Sequence, residues 1–279
     1  MNIQTSQPHP SWRHVHHPGA PILSIKGLSV RYEAGHALED ITLKVIAGER
    51  MAVVGPNGAG KSTLFKAIAG LLRPDKGSVN VFGAEPSAHI CIAYLPQHNQ
   101  VDWNFPVTVA DVVMMGRTRK IGFLHWPAKG DHEIVKRSLE TVGLTAFSQR
   151  QISQLSGGQQ QRMFIARALA QEADLLLMDE PVTGLDTPSQ EELFTVLDSL
   201  KKNGVTVLLA LHDLKLAATS FDRVLLLNHR LISLGEPSSA LNEENLKRAY
   251  GDRIQVLAHE QDISVLDDSC CGEEEHNHA

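Results

Sequence analysis

The chain has 279 residues, enough for one large domain or two small ones with ample core, and an ordinary make-up of 42% hydrophobic and 21% charged residues. A formal net charge of −6 gives no broad attraction to nucleic acid, and no apolar run approaches the ~18 residues of a membrane-spanning helix. Three cysteines make no disulfide framework, and adjacent Cys270 and Cys271 would form only a strained pair, so a reducing compartment is expected.

Residues 1 to about 20 are rich in Pro, His and Ser and read as a disordered tail without signal-peptide character. Strand-like alternation begins at Leu23 and continues through Ile25 and Val30, then Ile41, Leu43 and Val45. Arg50 to Val54 reads as a buried strand and Leu64 to Ala69 as a helix closed by Gly70. Between them runs Gly55-Pro56-Asn57-Gly58-Ala59-Gly60-Lys61-Ser62-Thr63, which fits G-x-x-x-x-G-K-[ST]. Polyphosphate needs many short donors at close range. Glycines remove the Cβ atoms that would hold the backbone away, and successive N–H groups then form a nest at a helix start. Lys61 supplies a charge for the β- and γ-phosphates, and the Ser62 hydroxyl can ligate Mg²⁺.

A turn at Arg73–Gly77 leads to a short strand, Val79–Phe82, and Ile90–Leu95 is another. Residues 107 to 171 are mainly helical, with an apolar stripe at Val135, Leu139 and Val142. Ser156 is a good N-cap for the next helix, and Gly157 and Gly158, followed by Gln159, expose N–H groups at its positive end as a second anion site. Strands return at Leu175–Met178, Val205–Leu211 and Val224–Leu227. The first of these ends in two carboxylates. Asp179 is placed to hold Mg²⁺ and Glu180 to polarise water as a general base. The pattern is α/β: a phosphate-loop core with a mostly parallel sheet, an antiparallel β subdomain and an inserted helical block. Taken singly, Ser156 also reads as an ordinary helix cap, and Asp179 and Glu180 as acidic residues leaving the core.

Together these motifs resemble the ATP-binding-cassette (ABC) family across about residues 21 to 258, with a helical subdomain at about 99–170 and an acidic Cys/His-containing tail at 259–279. Gly55–Thr63 resembles its Walker A motif, Leu155–Gln159 its signature and Leu175–Glu180 its Walker B motif. The resemblance implies ATP and Mg²⁺ as cofactors. It also implies a homodimer in which each ATP lies between one Walker A motif and the partner's signature. On the same basis Gln97 resembles the Q-loop glutamine that contacts Mg²⁺, and Asp186 belongs to a D-loop that crosses the dimer interface. His212 resembles the switch histidine, whose Nε2 would reach the γ-phosphate and the attacking water, and Tyr32 the aromatic that stacks on adenine. Each has a plain alternative: an exposed loop glutamine, a helix cap, a structural histidine and a packing tyrosine.

Only about 95 residues separate Lys61 from Ser156, too few for the long insertions of relatives that work on DNA. The resemblance implies a transport ATPase that sits peripherally on the cytoplasmic face of the cell membrane and drives separate permease subunits. An extracytoplasmic metal-binding protein would take part indirectly, and nucleic acid would not. Trp103 and Phe105 are candidate walls for a permease helix, with packing inside the helical block as the alternative. The stretch from Val107 to Arg117 resembles the cassettes of manganese and zinc importers, with iron or iron–siderophore import and soluble iron–sulfur assembly as alternatives. His9, His14, His16 and His17 in the first tail, and Cys270, Cys271, His276 and His278 in the last, are metal-ligand types without a closed four-ligand spacing.

Overall fold

In this computed structural model, residues 21–33, 35–86, 91–96, 102–122 and 125–251 are described, together with the backbone of 254–256 and 263–265. Alternation builds the first layer. β1 (Pro21–Tyr32) and β2 (Gly35–Ile46) pair antiparallel, with Leu23 opposite Val45 and Ile25 opposite Leu43. Their apolar side chains, Ile41 and Leu38 among them, turn inward and are fully buried. β4 (Lys76–Val81) joins the free side of β1, giving a three-stranded sheet in the order β2-β1-β4.

The second layer is a six-stranded sheet. It contains β3 (Arg50–Val54), β5 (Ile92–Leu95), β6 (Leu175–Asp179), β7 (Thr206–Leu211), β8 (Arg223–Asn228) and β9 (Arg230–Gly235), in the order β5-β6-β7-β3-β8-β9. All pairs are parallel except β8 with β9. Every residue of β6 and β7 is buried, which is why both read as continuous apolar runs. Successive side chains go to opposite cores. Met51, Val53, Leu175 and Leu177 face the three-stranded sheet and α1 (Lys61–Ile68). Ala52, Val54, Leu176 and Met178 face the helices on the other side.

Those helices are α2 (Val109–Met115), α4 (Lys129–Thr141), α5 (Gly157–Ala170), α6 (Thr187–Lys202) and α7 (Leu214–Ser220), while the short α3 (Thr118–Ile121) between α2 and α4 buries no residue. The stripe Val135, Leu139 and Val142 is buried as expected. α8 (Pro237–Ala240), α9 (Glu243–Tyr250) and a β10–β11 pair (Ile254–Val256 with Ile263–Val265) follow. A buried ionic knot fastens the helical block: Arg117 donates to Asp131 at 2.9 Å, to Glu172 at 2.7 Å and to the Ala170 carbonyl at 3.0 Å. Lys120 also meets Glu172.

Three details depart from the sequence reading. α1 begins at Lys61, three residues earlier than the apolar pattern suggested, because its first turn is polar. β9 was not anticipated, since its residues are nearly all half-buried and do not alternate. The β10–β11 pairing straddles the boundary placed at 258. The first tail, the metal-ligand residues of the last tail, and Gln97 lie outside the described residues.

Candidate active site

Register brings the site together. Val54 of β3 pairs with Leu211 of β7, and Ala210 of β7 pairs with Asp179 of β6, so three strands end at one level. With about 4.8 Å between neighbouring strands, the ends of β3 and β6 stand about 10 Å apart. Their loops carry Gly55–Gly60, His212 and Glu180 to the same carboxyl edge, where α/β sheets bind ligands.

The loop after β3 is wedged against its neighbours. A Cβ on Gly55 would lie 2.0 Å from the Leu227 carbonyl oxygen, and one on Gly60 2.5 Å from that of Ala37. Only glycine allows this approach. Ala59 is buried, Pro56 half-buried, and Asn57 and Gly58 open to solvent. Gly60 caps α1 with φ 98° and no side-chain bond, so the N–H groups around Lys61, Ser62 and Thr63 lack a side-chain cap. Lys61 is buried, and its Nζ donates back to the carbonyls of Gly55 at 2.8 Å and Pro56 at 3.2 Å. Burial pushes its pKa down, against the pull of Glu180 and Asp179. A buried ammonium that, among the described residues, gives its hydrogen bonds to neutral carbonyls fits a site that receives a polyanion.

Asp179 is buried at the end of β6. Oδ2 accepts from the Tyr94 hydroxyl at 3.4 Å, and the Ser62 hydroxyl is near enough to favour the charged carboxylate. Oδ1 is buried with no hydrogen-bond partner among the described residues. Burial raises the Asp179 pKa, opposed first by Ser62, while the charge of Glu180 raises it further. An orphaned carboxylate oxygen beside a hydroxyl is the donor set of a hard divalent cation such as Mg²⁺, direct or through water.

Glu180 follows with φ 52°, a left-handed backbone at a non-glycine residue that costs about 1–2 kcal/mol. Its N–H donates to Ala210 O at 3.2 Å, and its carboxylate meets His212 Nε2. This hydrogen bond lowers the Glu180 pKa, and the charges of His212 and Lys61 lower it further. The carboxylate is mostly shielded, whereas the imidazole is more open. The pair is an ionised carboxylate beside a histidine that can hold or pass a proton.

The second anion motif sits on α5. Ser156 caps it by accepting from the Gln159 N–H at 3.3 Å, and Gln159 Oε1 accepts from the Ser156 N–H at 3.1 Å. Ser156 and Gly157 are exposed. Gly158 is pressed on α6, where a Cβ would lie 2.7 Å from Ser189 Cβ. Asp186 caps α6 by accepting from the Ser189 N–H at 3.1 Å, so its capping reading holds structurally. The structure thus gathers Lys61, Ser62, Asp179, Glu180 and His212 into one cluster and Ser156–Gln159 with Asp186 into another. Tyr32 ends β1 with its ring half exposed. Trp103 packs edge-on against Phe164 at 5.7 Å, while Phe105 is exposed. The sequence reading missed Tyr94 as a partner of Asp179. The signal was present only as register: Tyr94 pairs with Leu177, two residues before Asp179 on the same face.

The ABC transporter family model matches residues 38–183. The zinc transport system ATP-binding protein TroB of Treponema pallidum is 48% identical over 233 residues, 83% of this chain and 88% of its own length. The manganese transport system ATP-binding protein MntB of Bacillus subtilis is 44% identical over 236 residues, 84% and 94% of the two chains. A solved metal-chelate type ABC transporter in an inward-facing conformation superposes with a TM-score of 0.75 at 31% identity, over 83% of this chain and 89% of that one. The chain therefore belongs to the ABC transporter family, as a cassette that binds ATP and couples its hydrolysis to transport.

Proposed function

We propose that the chain powers import of manganese or zinc through separate permease subunits, at the cytoplasmic face of the membrane. The carrying observation is its likeness, over most of both lengths, to cassettes named for zinc and manganese transport. Among the described residues no helix is long and apolar enough to cross a membrane, so a polytopic partner would form the path.

In this reading the Gly55–Thr63 backbone cradles the triphosphate, and Lys61 Nζ exchanges the Gly55 and Pro56 carbonyls for phosphate oxygens. Ser62 and Asp179, with Gln97, would hold Mg²⁺, which neutralises charge on the β- and γ-phosphates. Glu180 accepts a proton from the attacking water, and His212 hydrogen-bonds the γ-phosphate and that water. Tyr32 stacks on adenine. Ser156, Gly157, Gly158 and Gln159 close the ATP of a second copy, across an interface that Asp186 joins. An extracytoplasmic metal-binding protein would deliver the ion.

A second reading, import of chelated iron, draws on a relative from Yersinia pestis, 44% identical over 244 residues, that is named for chelated iron transport. Uptake of radioactive Mn²⁺, Zn²⁺ and Fe by cells lacking the chain separates them. Loss of Mn²⁺ or Zn²⁺ uptake, restored by the wild-type chain and not by Glu180→Gln, is expected. Loss confined to iron supports the second reading, and unchanged uptake of all three overturns both.

A further inference from the structure

The turn between β8 and β9 holds an unassigned residue that grips the phosphate loop from behind. His229 has φ 56°, a left-handed backbone that a non-glycine residue adopts at a cost. Its N–H donates to the Ala59 carbonyl of the loop at 2.9 Å, and its carbonyl accepts from the Glu39 N–H of β2 at 2.7 Å. Its Nδ1 lies 3.3 Å from the Ala37 carbonyl of β2. A carbonyl only accepts, so Nδ1 carries the proton. That same carbonyl is the one Gly60 presses on, and the Leu227 carbonyl, two residues before His229, is the one Gly55 presses on. The neighbouring Arg230 completes the brace with a two-pronged pair to Glu39, at 2.6 and 3.0 Å.

We infer that His229 is a positioning residue for ATP binding: its imidazole fixes the Ala37 carbonyl, and through Gly60 the register of the amides that open α1. The left-handed turn aims the backbone N–H at Ala59, and the side chain from the same Cα reaches β2. One residue thus ties the loop to β2. The loop's donors are then set before nucleotide arrives, which lowers the ordering cost of binding. The inference rests on reading residues 55–63 as the triphosphate site.

Steady-state hydrolysis and equilibrium ATP titration of the full chain test it. His229→Gly keeps the left-handed turn, which glycine adopts freely, and removes only the imidazole. His229→Asn tolerates the same backbone and places an amide N–H at the position of Nδ1. The expected result for His229→Gly is a rise in KM and Kd for ATP of about fivefold, equivalent to ~1 kcal/mol, with kcat changed less than twofold. His229→Asn should recover most of the affinity. A purely structural role would lower the melting temperature without moving KM. A rise below threefold with His229→Gly, or no recovery with His229→Asn, overturns the inference. Lys61→Ala run in parallel keeps the two readings apart, because unchanged ATP affinity there would instead remove the triphosphate site itself.

Discussion

Gly55 and Gly58 lie on one loop and should respond very differently to the same methyl group. In Gly55→Ala the new Cβ would sit 2.0 Å from the Leu227 carbonyl oxygen, 3.1 Å from its carbon and 3.2 Å from Ala59 Cβ. The obstacle is backbone of a buried strand and cannot swing aside. Ordinary contact begins near 3.4 Å, so the loop must move by about 1.4 Å. Such a shift carries an amide from about 2.9 Å to beyond 4 Å from a phosphate oxygen, outside hydrogen-bond range. Each bond to a charged group contributes about 1.5–3 kcal/mol. Losing even one should weaken ATP binding by about 1.5–3 kcal/mol, or roughly 10- to 150-fold. Gly58 has φ 80° and open space around it, so Gly58→Ala meets only backbone strain of about 1–2 kcal/mol, felt as lower stability more than lower affinity. Displacement of a fluorescent nucleotide, with circular dichroism to confirm folding, measures both. ATP affinity of folded Gly55→Ala within threefold of wild type, or weaker binding by Gly58→Ala than by Gly55→Ala, would refute the reasoning.

Glu180→Gln should cut hydrolysis at least ~100-fold and trap an ATP-bound dimer, because the proton acceptor is gone while the phosphate contacts stay; phosphate release at the wild-type rate would contradict this. His212 lowers the Glu180 pKa from its ordinary 4.5, so the carboxylate's stabilising contribution is complete above that value and is lost as pH falls through the lower folded value. His212→Ala should therefore move the acid limb of kcat/KM to higher pH as well as slow turnover, and an acid limb that stays in place counts against the pairing. Arg117→Ala takes the guanidinium from Asp131 and leaves Glu172 with Lys120, and the two carboxylate side chains are only 14% and 11% exposed. Breaking a buried pair costs about 3–5 kcal/mol, which lowers the melting temperature by roughly 6–20 °C. A calorimetric change under about 2 °C would show that the knot is dispensable.

What the sequence made legible was local. The phosphate loop is a contiguous pattern between a strand and a helix, and β6, β7 and β8 are uninterrupted apolar runs that only a covered sheet can hide. Ser156 as a cap is likewise a matter of a few neighbouring residues. What stayed hidden depends on sheet order or on distant partners. Tyr94 meets Asp179 only because β5 lies beside β6. Arg117 can be buried because Asp131 and, 55 residues on, Glu172 meet its charge. Nothing in the half-buried string Arg230–Gly235 separates an edge strand from a loop until β8 supplies the other side of the ladder.

The seam between α5 and α6 has a mechanical consequence. Glu180 stands six residues before Asp186, whose carboxylate holds the Ser189 N–H, and Ser189 is the surface against which Gly158 rests without a methyl group to spare. A shift of the Glu180 peptide would thus pass along the turn at residues 181–186 to the seam on which the serine cap of α5 rests. In the dimer proposed above, that cap would serve the opposite nucleotide. Each half would then report the state of its own triphosphate to its neighbour's, and the two would fire as a linked engine instead of as independent cylinders.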